Sequence, residues 1–193
     1  SSLIKGFEAM VPAILILTLA WTLKSMTDSL GAAAYVSDVV SSSASHLQML
    51  LPAIIFVVAA LLAFATGTSW GTFGILIPIC VAVFPAAAPL RVISISACMA
   101  GAVCGDHISP ISDTTIMASA GASCKHVHHV SSQLPYALTV ATVSFFTFIV
   151  AGFAQSLGFV AGIAVSWTTG LLLLGAALCF LKKHRRPTAQ KSA

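Results

Sequence analysis

Three long stretches decide what this chain can fold into: residues 47–65 (LQMLLPAIIFVVAALLAFA), 134–154 (LPYALTVATVSFFTFIVAGFA) and 159–181 (FVAGIAVSWTTGLLLLGAALCFL) are almost wholly apolar and carry no Asp, Glu, Lys or Arg. Each is about as long as the ~20 residues that an α-helix needs to cross a ~30 Å hydrocarbon core. In lipid the backbone must satisfy its own hydrogen bonds, which favours helices for runs of this length. The whole chain is 58% hydrophobic and only 7% charged, against roughly 25% charged in an ordinary soluble domain. These features predict an all-α polytopic membrane protein. The net charge of +4 is no nucleic-acid signal, because the basic residues are sparse and mostly terminal, so nucleic acid is not an expected partner. No signal or transit peptide is visible. The sequence opens at Ser1 rather than Met, as expected of part of a longer protein.

Residues 7–27 read as a further, first membrane helix, with Pro12 as a kink and Thr18, Trp21 and Thr22 bringing polar atoms to one side. Trp21 suits packing or an interface anchor better than a ligand role. Lys5 and Glu8 sit near its start, where water is close. Residues 28–46, with Asp28, Asp38, His46 and a run of serines, read as a surface or interfacial segment. The apolar run at 47–65 leads into Thr66-Gly67-Thr68-Ser69-Trp70-Gly71-Thr72-Phe73-Gly74, too rich in Gly for a straight helix. Its hydroxyls at Thr66, Thr68, Ser69 and Thr72 are candidate cation ligands. The apolar residues 75–84 that follow are too few to span. Either one long interrupted helix or a re-entrant hairpin with its tip at mid-membrane accounts for 50–85. Residues 91–104 form a helix rich in Ser, Ala and Gly, the composition of a tight helix–helix contact. Residues 122–133 read as a polar loop, and 182–193 as a basic, disordered tail on a membrane domain of residues 1–181.

The chemistry concentrates in residues 105–115, Gly-Asp-His-Ile-Ser-Pro-Ile-Ser-Asp-Thr-Thr, which hold Asp106 and Asp113, two of only five acidic residues. A carboxylate at membrane depth costs at least ~2.5 kcal/mol and is a functional candidate by default. Pro110 lacks a backbone N–H and should break the helix, and Ser109 before it is pushed from the α region. A break frees carbonyls beside the hydroxyls of Ser109, Ser112, Thr114 and Thr115. Carboxylate, carbonyl and hydroxyl oxygens are what a hard cation needs in place of its water shell. Two interrupted elements in one membrane chain point to a secondary-transporter site, with half-helix ends supplying partial charges. The Na+ candidates are Asp113, Thr114, Ser69 and Asp106. A single carboxylate that binds Na+ and H+ in competition suffices for antiport, and burial brings proton exchange toward the working range. Asp113, set among Ser112, Thr114 and Thr115, is the favoured carboxylate; its plain alternative is a helix N-cap. The transported species are Na+ and H+, with no cofactor.

His107 stands in an apolar context, where it could relay protons or simply be a hydrogen-bonded core histidine; Asp106 could pair with it. A Ser69–His107–Asp113 hydrolytic triad is conceivable, but no nucleophile-elbow pattern supports it. Cys124, His126, His128 and His129 match no closed zinc spacing and read as solvated loop residues. Cys80, Cys98, Cys104, Cys124 and Cys179 have no CxxC spacing, and most read as small apolar packing residues. For orientation, a cytoplasmic tail puts its five basic residues, Lys125 and one of Lys5 and Lys24 inside, leaving Arg91 and the other lysine outside, in keeping with the positive-inside bias. That count does not separate hairpin from crossing element.

Three motifs, TGTSWGTFGILIPI, GDHISPISDTTIMAS and HVSSQLPYAL, together with the Ala20-Trp21 pair, resemble the NhaC family of bacterial Na+/H+ antiporters, in the ion-transporter superfamily. The likeness covers most of the chain. Ile108 stands where that family commonly has Cys after the histidine. The resemblance implies sodium–proton exchange across the bacterial cytoplasmic membrane. It also implies a re-entrant hairpin at 52–85 followed by a broken helix at 91–119. Family members are more than twice this length, so the chain is expected to be a C-terminal portion holding one of two inverted repeats. The lipid bilayer and the N-terminal half are its expected partners, a homodimer is compatible with the family, and this portion alone should not transport. Some relatives couple Na+ and H+ to malate or lactate, which makes a carboxylate exchanger the nearest alternative.

Overall fold

The computed structural model describes residues 45–184 continuously and, before them, only Ile4, Thr18, Leu19, Thr22, Met26, Ser29 and Leu30. The expectations for helix 7–27, for the segment up to residue 44 and for the tail beyond His184 lie outside the described residues. The described part is all-helical: α1 Ser45–Thr66, α2 Ser69–Val83, α3 Pro89–Ile108, α4 Asp113–Gly121, α5 His126–Ala154, a 3-10 turn Gln155–Leu157, and α6 Phe159–His184. Three of these helices, α1, α5 and α6, are long and apolar enough to cross a membrane, and α3 with α4 make a fourth span if counted as one bent element. The chain is a polytopic membrane protein by this architecture.

α1 ends where Gly67 adopts φ +68° and its N–H donates to the Ala63 carbonyl at 2.8 Å, the left-handed helix stop that glycine takes without penalty. Thr68, extended at φ −149°, reverses the chain into α2. Val83 and Phe84 at the far end of that helix cluster with Leu51 and Ile55 near the start of α1. The two helices are therefore antiparallel arms of a hairpin with its tip at Gly67-Thr68. At 15 residues, or ~22 Å at 1.5 Å per residue, α2 is too short to span. Residues 50–85 thus form two antiparallel helices rather than one long interrupted helix.

Pro89 occupies the first turn of α3, where its missing N–H costs nothing. That helix runs parallel to α1: Leu90 lies by Leu51 and Ile55, while Gly101 and Gly105 face Phe56 and Ala60. A Cβ on Gly101 would collide with the Phe56 carbonyl oxygen, and one on Gly105 with that of Ala60. The Gly-x-x-x-Gly spacing thus lets two backbones touch, the small-residue contact of membrane helices. Ala59, Ala63, Cys80, Cys98 and Ala102 fill the seam between the arms and α3. Cys80 and Cys98 are buried as expected, whereas Cys124 and Cys179 are exposed.

α5 returns antiparallel to α1, with Gly152 against Met49 and Phe148 stacked 5.5 Å from Phe56. α6 packs chiefly on α5, Gly170 against Thr147, with Gly162 against Ala154 and Gln155 at the turn, and none of its apolar window is buried. Several boundaries differ from the sequence reading, first in the Gly-rich run 66–74, where only Gly67 and Thr68 leave the helix and α2 starts at Ser69 with Gly71 and Gly74 inside it. α5 begins at His126, so most of the expected loop 122–133 is helix, and the polar side chains of His126 and Gln133 are bonded to Pro110 O and His107 O. α6 likewise carries Lys182 and Lys183 past the expected start of the tail.

Candidate functional site

The break between α3 and α4 is narrower than residues 105–115. Asp106 and His107 lie in the last turn of α3, and Asp113 opens α4. Pro110 disturbs only what precedes it, so Ser109 is extended at ψ 126° while Gly105–Ile108 stay helical. The two half-helices are bent by 47°.

This geometry separates the two acids. Asp106 is 4% exposed, within a shell of Ser109, Ser112 (both 0%) and Thr115 (4%). Ser112 Oγ donates to Asp106 Oδ1 at 2.7 Å. Having given its proton, that oxygen accepts from Thr114 Oγ1 at 2.7 Å and from the Thr115 N–H at 3.4 Å. A chain of hydroxyls therefore runs from a buried carboxylate to Thr114, which is exposed. Asp113 is exposed and accepts from the adjacent Thr114 N–H at 2.7 Å, a bond to a free donor of the helix start. His107 is also exposed; its Nδ1–H donates back to Val103 O at 2.9 Å, and Asp106 bonds Ser112 rather than this imidazole.

The hairpin tip meets the break. A Cβ on Gly67 would stand 2.9 Å from Ile111 Cγ1 and from the Ile111 carbonyl oxygen. Ser109 Oγ donates across to Phe64 O at 2.8 Å. Both interrupted elements found in the sequence thus adjoin, one residue from Pro110 on one side and one from Thr68 on the other. At the tip Ser69 is 9% and Thr72 1% exposed. Thr72 Oγ1 donates to Thr68 O at 3.2 Å, and Thr66 Oγ1 to Leu62 O at 2.9 Å. Thr68, at the N-cap of α2, makes no side-chain capping bond.

Other residues support the break; of these the sequence reading named Thr115 and missed Gln133, Ser119 and this role of His126. Thr115 Oγ1 donates to His107 O at 3.2 Å, and Gln133 Nε2 donates to the same carbonyl. His126 Nε2–H donates to Pro110 O at 2.7 Å, and its Nδ1 lies 3.2 Å from Ser119 Oγ. His126 is therefore no free loop residue. The helical spacing of His126 and Gln133, positions i and i+7, was the available signal. No group of three or more His, Cys, Asp or Glu that could hold a metal ion is present among the described residues. No triad forms either: His107 and Asp113 bond Val103 and Thr114, not each other or Ser69.

Among curated proteins, the chain is 51% identical over 156 residues to an uncharacterised protein of Haemophilus influenzae, covering 80% of this chain and 30% of that one. It is 32% identical over 98 residues to the malate-2H(+)/Na(+)-lactate antiporter of Bacillus subtilis, covering 50% of this chain and 21% of the relative. It is 32% identical over 116 residues to the arginine/ornithine antiporter ArcD of Halobacterium salinarum, covering 58% and 24%. The chain spans at most 30% of the length of these relatives. No solved structure matches. A family described as the Na+/H+ antiporter family matches residues 1–153, and on that match over most of the sequence the chain belongs to the Na+/H+ antiporter family.

Proposed function

We propose that the transporter of which this chain is a part exchanges Na+ for H+ across the cell membrane, with Asp106 as the carboxylate the two cations share. The observation that carries this reading is Asp106 itself: a buried carboxylate, bonded by Ser112, at the junction of two interrupted helical elements. A hydroxyl can donate to a bare carboxylate and, once rotated, offer a lone pair to a cation. Ser112, just before α4, and Thr114, within it, do so, and the hairpin tip that carries Thr68 and Ser69 meets the break at Gly67 and Ile111. Protonation of Asp106 removes the charge that holds Na+, and Na+ displaces the proton. One cation therefore leaves as the other enters. Asp113, favoured on sequence, is the exposed first residue of α4, and Ser112 before it takes the capping position, its carbonyl accepting from the Ile116 N–H at 2.9 Å. The rest of the transporter supplies the other wall of the site.

We put the site nearer one membrane face than mid-membrane. What supports this is Gln133, which touches the break and immediately precedes the uncharged run 134–154. With the tail cytoplasmic, that face is the inner one.

A carboxylate-exchanging transporter, suggested by the Bacillus relative's name, needs a cationic partner for its substrate. Arg91 lies fifteen residues before Asp106 on α3, ~22 Å away at 1.5 Å per residue. A cationic substrate, as in the name of the Halobacterium relative, suits an acidic site better but must fit a small, hydroxyl-lined one. The test is ΔpH dissipation in everted vesicles carrying the full-length transporter. Collapse on adding Na+ supports the proposal. Collapse only with malate or lactate, or only with arginine, replaces Na+/H+ exchange with the corresponding substrate.

A further inference from the structure

A helix broken by proline frees carbonyl oxygens, and a cation site is the obvious use for them. Two of the carbonyls at this break are already taken, by one neighbouring helix. Gln133 Nε2 holds His107 O at the end of α3, and His126 Nε2–H holds Pro110 O within the break at 2.7 Å. The second nitrogen of His126 reaches Ser119 on α4 at 3.2 Å, and Ser119 is 3% exposed. His126 and Gln133 stand on one face of α5, so a single rigid helix grips the end of α3, the break and α4 together. The bonds of these two side chains go to Ser119, Pro110 and His107, not to Asp106, Ser112 or Thr114.

We propose that His126 and Gln133 are positioning residues: they fix the geometry of the break through the Pro110 and His107 carbonyls, and so set the affinity of the ion site without touching the ion. This rests on the Na+/H+ reading for its affinity readout but not for its structural one. A carbonyl held by a donor cannot swing toward the site, and the two held carbonyls lie one and four residues after Asp106.

The test uses the full-length transporter with two readouts. One is the Na+ concentration for half-maximal exchange against the maximal rate. The other is the alkylation rate of a single cysteine, Ile111→Cys, in a background cleared of other cysteines. His126→Met keeps the bulk and removes the donor; His126→Gln keeps a donor near the position of Nε2. Expected for His126→Met is a roughly tenfold rise in half-saturating Na+, the worth of one such hydrogen bond, with the maximal rate kept and faster alkylation of the cysteine at 111. His126→Gln returns both to parental values. Gln133→Met reproduces the effect and carries the test if His126→Met fails to insert. Unchanged affinity and alkylation in the Met variants would overturn the proposal, as would His126→Gln behaving like His126→Met. A parent with no Na+ response sinks the exchange reading, while the alkylation rates still decide the positioning role.

Discussion

Ser112 donates its hydroxyl proton to the Asp106 carboxylate at 2.7 Å, tying the first turn of one half-helix to the last turn of the other. The bond spans the proline break, so the part of the chain that could not stay helical is closed by the residue that most needs a donor.

Removing that donor is costly in a buried place. Ser112→Ala leaves a buried carboxylate oxygen short of a partner, a penalty of about 1–3 kcal/mol. The expected result is full-length protein of normal abundance with a weakened apparent Na+ affinity. Thr114→Val, which removes a hydroxyl farther along the chain, should act in the same direction but less. Half-saturating Na+ in everted vesicles gives both values.

Gly67 is tested by its backbone and its neighbour separately. Its φ of +68° costs a side-chain-bearing residue about 1–2 kcal/mol, and the Ile111 contact at 2.9 Å adds a clash. Gly67→Ala should lower the unfolding temperature of the purified full-length protein. Combining it with Ile111→Ala should recover only the side-chain part of the clash, because the Ile111 carbonyl oxygen is equally close at 2.9 Å, and none of the conformational part. Complete recovery would show that the left-handed turn is not required.

The seam between α1 and α3 predicts a graded series. Gly105→Leu drives a side chain into the Ala60 backbone and should abolish monodisperse protein. Gly175→Ala meets nothing within 4 Å and should stay within about 0.5 kcal/mol of the parent, as open surface positions do. Size-exclusion profiles in detergent separate the two.

Much of this was legible in the residues, for identifiable reasons. Uncharged runs of spanning length announced α1, α5 and α6, because lipid leaves the backbone few other choices. Pro110 and the Gly67 region announced the two interruptions, because both residues act locally. What stayed hidden was set by contacts between distant parts of the chain. The sequence put Asp106 and Asp113 in one motif, and only the register of α3 and α4 buries the first and exposes the second. His126 sits in a polar stretch that composition assigns to a loop, and its bond to Pro110 joins residues sixteen positions apart. The meeting of Gly67 with Ile111 depends on α1 and α3 running parallel, which no local pattern encodes.

The most direct test of the central claim compares Asp106→Asn with Asp113→Asn in the full-length transporter at matched membrane abundance, read as Na+-dependent ΔpH dissipation in everted vesicles. The account predicts that Asp106→Asn abolishes exchange, because an amide neither holds Na+ as a charge nor exchanges a proton, while Asp113→Asn retains it with reduced stability. Exchange that survives Asp106→Asn and disappears in Asp113→Asn would contradict it, and would move the shared site from the buried end of α3 to the start of α4.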